Sequence, residues 1–397
     1  MMTVRIGLVG AGWMGKSHAS AFRNAALVFG KKLPHPVLHK VADITVESAK
    51  ALALANGCHS WTDDWREVVE DPSVDVVDIT TPNNTHFVIA QAAIAAGKHV
   101  YCEKPLTLTA MEATILTEAA RKAGIITLVG FNYLKNPVQA LARDLISSGE
   151  IGEILSFRGI RDGEAMVSPT APFSWRHDRS IAGSGALGDT GTHALSMALM
   201  LVGDVESVFG HTKIFIKERP ISIAGSGYRS RADMSRLRMV ENDDATLCMM
   251  SFHNGALGSM SCSRVATGRR SWLNYEIQGT KGALYFTQQR MNELQFYRRA
   301  DLPGRRGYKT IQVGPEHGVY AAFHPIPGLG LGFNDLKVIE VYDLLNAIST
   351  NESAFPDFSF AQKISEIVDG ILLSADEGRW VTLAEIRADA APVELRS

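Results

Sequence analysis

Two pairs of polar residues in the sequence have side chains that could move a proton and stabilise charge on oxygen. Glu103 and Lys104 end a short apolar run, and the Pro105 that follows biases Lys104 away from helical backbone. Asp189 and His193 are four residues apart, so on a helix they would share one face. A carboxylate beside an imidazole suits general acid–base catalysis near neutral pH. Alternatively, the first pair is an exposed ion pair before a turn, and the second is a helix N-cap followed by a hydrogen-bonded histidine.

The start of the chain has the pattern of a dinucleotide-binding unit. Residues 4–9 form an apolar run that predicts a parallel strand buried on both faces. The run leads into a GxGxxG motif at residues 10–15, in which Gly10 permits a tight turn and Gly12 lets the backbone approach a pyrophosphate. A helix predicted over residues 16–26 would direct its N-terminal amides at the phosphates. Trp13 and Met14, inside the motif, are expected to contact the same cofactor.

Asp43 is the predicted contact for the adenosine ribose. It ends a strand predicted over residues 37–42, and a carboxylate there would accept hydrogen bonds from both ribose hydroxyls and repel a 2′-phosphate. No Arg or Lys follows among residues 44–46, so NAD is favoured over NADP. Residues 29–36 are interpreted as a loop insertion that lengthens the usual spacing. Asp43 could instead cap the helix that starts near Val46.

Strands and helices continue to alternate up to residue 130. Strands are predicted over residues 74–79, 99–102 and 125–130, and helices over residues 63–69, 87–96 and 109–123. This order predicts a Rossmann domain over residues 1–133, built on a doubly wound parallel sheet with right-handed crossovers. Polar residues at the ends of the strands would meet at one edge of the sheet. Those expected to line the cofactor groove are Thr81, Asn83, His86, Glu103, Lys104 and Asn132.

The rest of the chain has a different pattern. A helix over residues 137–148 is followed by strands without alternating helices, predicted over 154–160, 205–216, 246–252, 257–262, 273–278, 283–287 and 293–297. Asn254-Gly255 indicates a hairpin, and two late helices are predicted over residues 335–349 and 359–375. Residues 134–397 are therefore predicted to form an α+β domain with a large, mainly antiparallel open sheet. Because an open sheet face is commonly covered by another subunit, a homo-oligomer, dimer or tetramer, is expected.

Composition argues against several classes of function. Of the 397 residues, 46% are hydrophobic and 21% charged, and the formal net charge of -2 favours neither nucleic acid nor anionic membrane as a partner. No apolar run reaches the roughly 18 residues of a membrane span, and a secretory signal is not expected. The four cysteines are scattered without metal-ligand spacing, which predicts reduced thiols, no metal site and a cytoplasmic location.

Taken together, these motifs resemble those of the glucose–fructose oxidoreductase/inositol dehydrogenase/rhizopine catabolism (Gfo/Idh/MocA) family, over nearly the whole chain. The resemblance is carried by residues 10–15, Glu103-Lys104-Pro105, Phe131-Asn132-Tyr133 and residues 185–193. It implies an NAD(P)-dependent oxidoreductase of sugars or polyols. By resemblance, Lys104 orients and polarises the reacting hydroxyl, His193 takes its proton, and Asp189 binds substrate and assists His193.

Further segments look like one branch of that family, the inositol, L-glucose and levoglucosan dehydrogenases. These segments are residues 174–176, 182–189 and 324–330. In such enzymes the Trp-Arg pair and the aromatic of the Phe-Asn-Tyr motif lie near nicotinamide and sugar, which implies these roles for Trp175, Arg176 and Tyr133. Other residues that could face the substrate, or could equally be surface or interface groups, are Arg161, Asp162 and His324.

The sequence thus predicts an NAD-dependent dehydrogenase that oxidises one secondary ring hydroxyl of a cyclic polyol or pyranose to a ketone. Inositols, L-glucose and anhydrosugars are the substrate types that the resemblance implies. Two alternatives are left open. One is an NADPH-dependent keto-sugar or anhydroketose reductase, and the other is a non-catalytic dinucleotide-sensing regulator on the same scaffold.

Overall fold

The computed structural model describes residues 2–30, 33–224 and 231–390, whose strands form two large sheets and a two-stranded arm. The strands are β1 (Thr3–Val9), β2 (His35–Ala42), β3 (Trp61–Thr62), β4 (Val76–Ile79), β5 (His99–Cys102), β6 (Thr127–Val129), β7 (Ile154–Asp162), β8 (Val205–Lys213), β9 (Glu218–Ala224), β10 (Arg231–Met239), β11 (Ala245–Phe252), β12 (Leu257–Ser263), β13 (Trp272–Gly279), β14 (Gly282–Thr287), β15 (Glu293–Arg298), β16 (Tyr308–Gln312) and β17 (Val381–Thr382). The α-helices are α1 (Trp13–Phe29), α2 (Val46–Ala55), α3 (Arg66–Val69), α4 (His86–Ala95), α5 (Ala110–Ala123), α6 (Pro137–Ser147), α7 (Arg179–Ala182), α8 (Thr192–Leu201), α9 (Tyr320–Phe323), α10 (Phe333–Thr350), α11 (Phe358–Glu377) and α12 (Leu383–Ala390). None of the helices among the described residues is both long enough and apolar enough to cross a bilayer.

The first sheet is parallel throughout, in the order β3-β2-β1-β4-β5-β6. Its strand β1 is buried on both faces towards its carboxyl end, since Ile6 and Leu8 on one face and Gly7 and Val9 on the other are all buried. Strand order reverses direction between β1 and β4, and open α/β sheets bind their ligands at such a point, beyond the carboxyl ends of the strands. The predicted Rossmann fold is confirmed.

Local capping fixes the segment that follows Lys104. The Thr109 hydroxyl accepts the backbone N–H of Glu112, and the Glu112 carboxylate accepts that of Leu108, so the first turn of α5 is closed from both sides. The helix ends at Gly124, where a φ of 64° requires a residue that tolerates left-handed backbone. Helix α5 is therefore capped at both ends, and its N-terminal cap fixes the end of the loop that follows Lys104.

The second sheet has the order β16-β15-β14-β13-β7-β12-β11-β8-β17. Neighbouring strands in this sheet are antiparallel, except that β7 and β12 run parallel to each other. The predicted Asn254-Gly255 hairpin joins β11 to β12. The helices α6, α8, α11 and α12 cover one face. On the other face Leu247, Met249 and Leu257 are exposed, so the predicted open, mainly antiparallel sheet is confirmed.

The structure differs from the sequence predictions in several details. The arm formed by β9 and β10 was not predicted, nor were β16 and β17, because β10 is exposed along most of its length and lacks a two-residue apolar alternation. The strand predicted over residues 205–216 ends at Lys213. The insertion predicted over residues 29–36 is shorter, since Phe29 still belongs to α1 and β2 starts at His35; residues 31–32 lie outside the described part of the chain.

α10, from the second half of the chain, packs along α1 in the first half. The rings of Trp13 and Phe333 stack at 5.8 Å near the start of both helices, and those of Phe29 and Tyr342 stack at 4.1 Å further along. The two large sheets fall on either side of the predicted boundary between residues 133 and 134, which stays a prediction.

Candidate active site

The glycine loop between β1 and α1 has the shape that a pyrophosphate requires. Gly10 has a φ of 104°, and a Cβ at Gly15 would lie 1.9 Å from the Gly10 carbonyl oxygen, so neither position accepts a side chain. Gly12, by contrast, has no described atom in contact with its Cβ position and leaves its backbone open. Trp13 and Met14 follow in the first turn of α1, where free amides favour an anion. The loop therefore fits the phosphates of NAD.

Asp43 lies at the carboxyl end of β2, against the glycine loop. Its Oδ2 accepts the backbone N–H of Ala11 at 2.7 Å, and its Oδ1 accepts that of Thr45 at 2.9 Å. The N-cap residue of α2 is Thr45, so Asp43 is not the helix cap considered as the alternative. An aspartate held beside the loop in this way fits the ribose of NAD and would repel a 2′-phosphate.

The loop after β4 carries three of the predicted cofactor residues, and they face different ways. Thr81 is partly exposed at the end of the strand. Asn83 is buried and donates from Nδ2 to the carbonyl oxygen of Ala182, which ties the loop to α7. Contrary to expectation, His86 does not line the groove, because it is fully buried with its ring nitrogens 2.8 and 3.0 Å from the carbonyl oxygens of Pro105 and Thr81.

Lys104 reaches from the end of β5 to Asp189. Its ammonium donates to the Asp189 backbone oxygen at 2.5 Å and lies 3.2 Å from Oδ1; the Lys104–Pro105 peptide bond is cis. Nε of Arg176 lies 3.6 Å from the other carboxylate oxygen, and its guanidinium covers the Trp175 ring at 4.3 Å. Burial alone would raise the pKa of Asp189, but Lys104 and Arg176 together hold that pKa well below its usual value, so the carboxylate stays ionised.

The turn that carries Asp189 is held by Asp243, which the sequence analysis did not identify. The turn, Leu187–Gly191, leads directly into α8. The Asp243 carboxylate accepts the backbone N–H groups of Gly185 at 2.6 Å and Leu187 at 2.9 Å. A Cβ on Gly185 would lie 1.8 Å from the Asp243 carbonyl oxygen, so only glycine allows this close approach. A polar cluster between two strands, residues 241–244, was the available signal.

His193 is buried near the start of α8, with its ring against Tyr133 at 4.7 Å between centroids. Its pKa lies well below the usual value, first because of burial and then because of the positive charges of Lys104 and Arg161. The imidazole is therefore neutral at pH 7 and able to accept a proton. The structure differs from the expectation that Asp189 holds the His193 ring, because no hydrogen bond joins the two among the described residues and the Asp189 carboxylate faces Lys104 and Arg176 instead.

The remaining predicted residues divide between the site and its periphery. Asn132 is buried beside Tyr133 at the end of β6. Arg161 is buried at the end of β7, donates to the Asp162 carbonyl oxygen, and leaves its Nε without a hydrogen bond among the described residues. Asp162 next to it is partly exposed, and burial raises its pKa. His324 is not brought to the site within this chain, because it packs on Tyr320 in the segment that contacts the far end of α1.

Glu103 also departs from expectation, because its side chain is buried beneath the groove rather than lining it. Its carboxylate contacts His18 of α1 and Lys337 of α10. The sequence offered weak signals for these two partners. His18 follows Gly15 by three residues, and Lys337 precedes Glu340 by three on an otherwise apolar part of α10.

Comparison with known proteins agrees with this geometry. Residues 4–131 match the model of an oxidoreductase family with an NAD-binding Rossmann fold, and residues 140–285 match the GFO/IDH/MocA C-terminal domain. The chain is 39% identical over 390 residues to levoglucosan dehydrogenase from Pseudarthrobacter phenanthrenivorans, covering 98% of this chain and 100% of that protein. It is 29% identical to scyllo-inositol 2-dehydrogenase (NAD(+)) from Bacillus subtilis, covering 71% and 73% respectively.

A solved structure shares the same fold. Levoglucosan dehydrogenase in complex with NADH and levoglucosan superposes with a TM-score of 0.90 at 39% identity, covering 96% of this chain and 100% of that one. These matches confirm the expected oxidoreductase class and NAD as the cofactor. The chain belongs to the Gfo/Idh/MocA family of oxidoreductases.

Proposed function

We propose that the protein oxidises one secondary ring hydroxyl of an anhydrosugar of the levoglucosan type, or of a similar pyranose or cyclic polyol, to a ketone. The observation that carries the proposal is the grouping of Lys104, Asp189 and a neutral His193 beyond the end of the parallel sheet. Similarity to levoglucosan dehydrogenase along the chain supports the anhydrosugar, and similarity to an inositol dehydrogenase supports the wider class.

Lys104 would stabilise the oxygen of the reacting hydroxyl. An ammonium has three N–H donors, and two of them are directed at Asp189, which leaves one for a bound substrate. With Lys104 and Arg176 positive and Asp189 negative, the group carries one net positive charge where negative charge develops on oxygen. Preorganised charge of this kind is usually the largest catalytic contribution.

His193 would accept the hydroxyl proton. Its neutral form is maintained by burial and by the nearby cations, and Tyr133 packs edge-on against the ring and limits its movement. When bound, NAD supplies the hydride acceptor, while the glycine loop and Asp43 hold its pyrophosphate and ribose. The position of Asp43 also argues against the NADPH-dependent reductase considered as an alternative.

Lys104→Ala tests these roles directly. Removing the ammonium should lower kcat by about 10²-fold or more while NADH still binds, because the glycine loop and Asp43 are left intact. Steady-state kinetics and NADH fluorescence titration measure the two effects. A variant with the turnover of the parent protein would contradict the role of Lys104.

A substrate screen tests the reaction itself. NAD reduction is followed at fixed enzyme concentration with levoglucosan, inositols and hexoses of both hands, and then with NADP in place of NAD. Levoglucosan or a related ring should give the highest kcat/KM, with NAD preferred over NADP. Turnover of none of these compounds would contradict the substrate class.

We further propose a homo-oligomer, dimer or tetramer, and a cytoplasmic location. Leu247, Met249 and Leu257 lie together and exposed on the open sheet face, which supports association with another copy of the chain, because adjoining exposed apolar side chains often mark an interface. The mass of the native particle, measured by light scattering, tests the homo-oligomer.

The four cysteines are all buried and form no disulfide, which supports the proposed cytoplasmic location, a reducing compartment.

A further inference from the structure

A network of charged side chains lies buried beneath the loop that carries Lys104. We call it the buried ion network; its members are His18, Asp78, Tyr101, Glu103, Lys337 and Glu340. They come from four elements of both halves of the chain, namely α1, β4, β5 with its end, and α10. All are buried, so the contacts within the network are shielded from water.

Glu103 is the centre of the network and its link to the catalytic loop. Its Oε1 accepts Nζ–H of Lys337 at 2.6 Å and lies 3.0 Å from Nε2 of His18. Its Oε2 accepts the backbone N–H of Lys104 at 3.1 Å. A Cβ on Gly130 would lie 2.7 Å from Oε1, so the end of β6 also closes on the carboxylate. Glu103 is thus fixed on three sides and in turn fixes the backbone of Lys104.

Charge on both partners of Glu103 follows from the geometry. The two ring nitrogens of His18 lie at 2.9 and 3.0 Å from the carboxylates of Asp78 and Glu103, which only accept hydrogen bonds, so only the imidazolium satisfies both. Lys337 lies between Glu103 and Glu340, whose Oε2 is 2.9 Å from Nζ. Burial alone would raise the pKa of Glu103, but Lys337 and His18 hold that pKa well below its usual value.

Such a network is a poor way to gain stability alone. Taking several charges out of water is expensive, and well-packed apolar residues of similar size often serve as well or better. The network does, however, join the Lys104 backbone to two helices with short, charge-assisted contacts. A small displacement of a catalytic group lowers turnover strongly, so a rigid support beneath Lys104 is of direct use to catalysis.

We propose that Lys337 is a positioning residue for Lys104, acting through Glu103. Lys337 keeps Glu103 ionised and in place, and Glu103 holds the Lys104 backbone so that its ammonium reaches Asp189 and the substrate. This inference rests on the catalytic role proposed above for Lys104. Without Lys337, Glu103 takes up a proton, which weakens its hydrogen bond to the Lys104 N–H, or turns away, which breaks that bond.

Lys337→Met is the principal test, with Lys337→Arg as the conservative variant. Lys337→Met should lower kcat by about 10-fold to 10²-fold with the NADH dissociation constant within about 2-fold of the parent protein, because the glycine loop and Asp43 are untouched. Lys337→Arg keeps the charge and should recover most of kcat.

The pH profile separates positioning from general stability. Glu103 is faced by His18 and, beyond it, Asp78 from the first half, and by Lys337 and Glu340 from α10. Tyr101 of β5, His86 of α4 and His193 of α8 also interact electrostatically with it. Once Lys337 is removed, protonation of Glu103 should move into the measured range. The acidic limb of kcat against pH should therefore shift to higher pH in Lys337→Met and return in Lys337→Arg.

Lys98→Met is the matched control. Lys98 lies just before the start of β5, at the opposite end from Glu103. The Lys98 ammonium donates to the carbonyl oxygens of Asp71 and Val74. The variant should lose stability while kcat and the pH profile stay unchanged. Lys337→Met with the kcat and pH profile of the parent protein would overturn the proposal, as would a failure of Lys337→Arg to exceed Lys337→Met.

Two further variants remove ambiguity. Lys104→Ala is measured in parallel: an active Lys104→Ala refutes the catalytic role proposed for Lys104, whereas an inactive Lys104→Ala beside a fully active Lys337→Met refutes the positioning role alone. Should Lys337→Met not fold, Glu103→Gln replaces it, since the amide keeps the shape and removes the charge. A lower kcat with unchanged NADH affinity supports the proposal, and an unchanged kcat overturns it.

Discussion

Lys104 and Lys337 each form an ion pair with a carboxylate, but in different surroundings. The side chains of Lys104 and Asp189 are 14% and 25% exposed and border the cleft, whereas those of Lys337 and Glu103 are 1% and 9% exposed. A pair that borders a cleft can exchange one hydrogen bond for a substrate oxygen, while a buried pair keeps its partners because an unpaired buried charge is costly. The same chemical contact thus serves reaction in one place and positioning in the other.

Stability measurements on matched lysine variants should separate the two pairs most clearly. Lys337→Met leaves Glu103 buried without its main counter-charge and should lower the free energy of unfolding by about 3–5 kcal/mol. Lys104→Met, at the partly exposed pair, should lower it by about 1 kcal/mol or less. Urea unfolding followed by circular dichroism measures both. Equal losses would show that burial does not distinguish the pairs.

A substitution of His193, which lies in the cleft, should affect turnover strongly and stability only slightly. His193→Gln removes the proposed proton acceptor and should lower kcat by about 10²-fold, equivalent to about 2.7 kcal/mol, with little change in the urea midpoint. Steady-state NAD reduction and the same unfolding assay check the two effects. A stable variant with normal turnover would remove His193 from the mechanism.

The pH dependence of stability distinguishes His18 from His193. Burial and Lys337 act to lower the pKa of His18, but Asp78 and Glu103 outweigh them and raise it to about 8. Its contribution is therefore fully present below about pH 6.5 and is lost as pH rises through about 8, about 2 kcal/mol in all. The pKa of His193 is depressed, so its contribution is present above about pH 6.5 and is lost as pH falls.

Urea titrations from pH 5 to 9 measure both limbs. His18→Gln should flatten the alkaline limb and leave the acidic one. His193→Gln should leave the alkaline limb and reduce the acidic one only in part, because the pKa values of His86, His99 and His177 are also lowered. An alkaline limb that persists in His18→Gln would mean that another group produces it.

The sequence predicted those parts of the site whose position depends on residues close by in the chain. The glycine loop, Asp43 and Lys104 sit directly after short apolar strands, so local pattern placed them at one edge of a sheet. The partners of Glu103 could not be found in this way, since Lys337 is separated from it by 234 residues and only folding brings them together. For His324 the sequence pointed to the wrong place. The loop over residues 324–330 resembles that of related enzymes, but in this structure His324 packs on Tyr320 instead of reaching the site.

The second half shows the same limit in its strands. β11 is largely apolar and β12 alternates serine with buried apolar residues, and both were predicted, whereas the arm strand β10 shows neither pattern. The arm is instead anchored by Arg219, which is fully buried and donates to the carbonyl oxygens of Met166 and Ser168. A buried arginine that serves backbone carbonyls leaves no pattern in a hydropathy profile.

The packing of α10 on the first half has a mechanical consequence. Trp13 stacks on Phe333, Phe29 stacks on Tyr342, and Lys337 is bound to Glu103, so α10 is joined along its length to α1 and, through Glu103, to the end of β5. If the cleft opens and closes, α10 should therefore move as one body with the nucleotide-binding half. It does so although α10 lies some 200 residues after the last strand of the first sheet. In amide hydrogen exchange, α10 should be protected in step with α1 and β5.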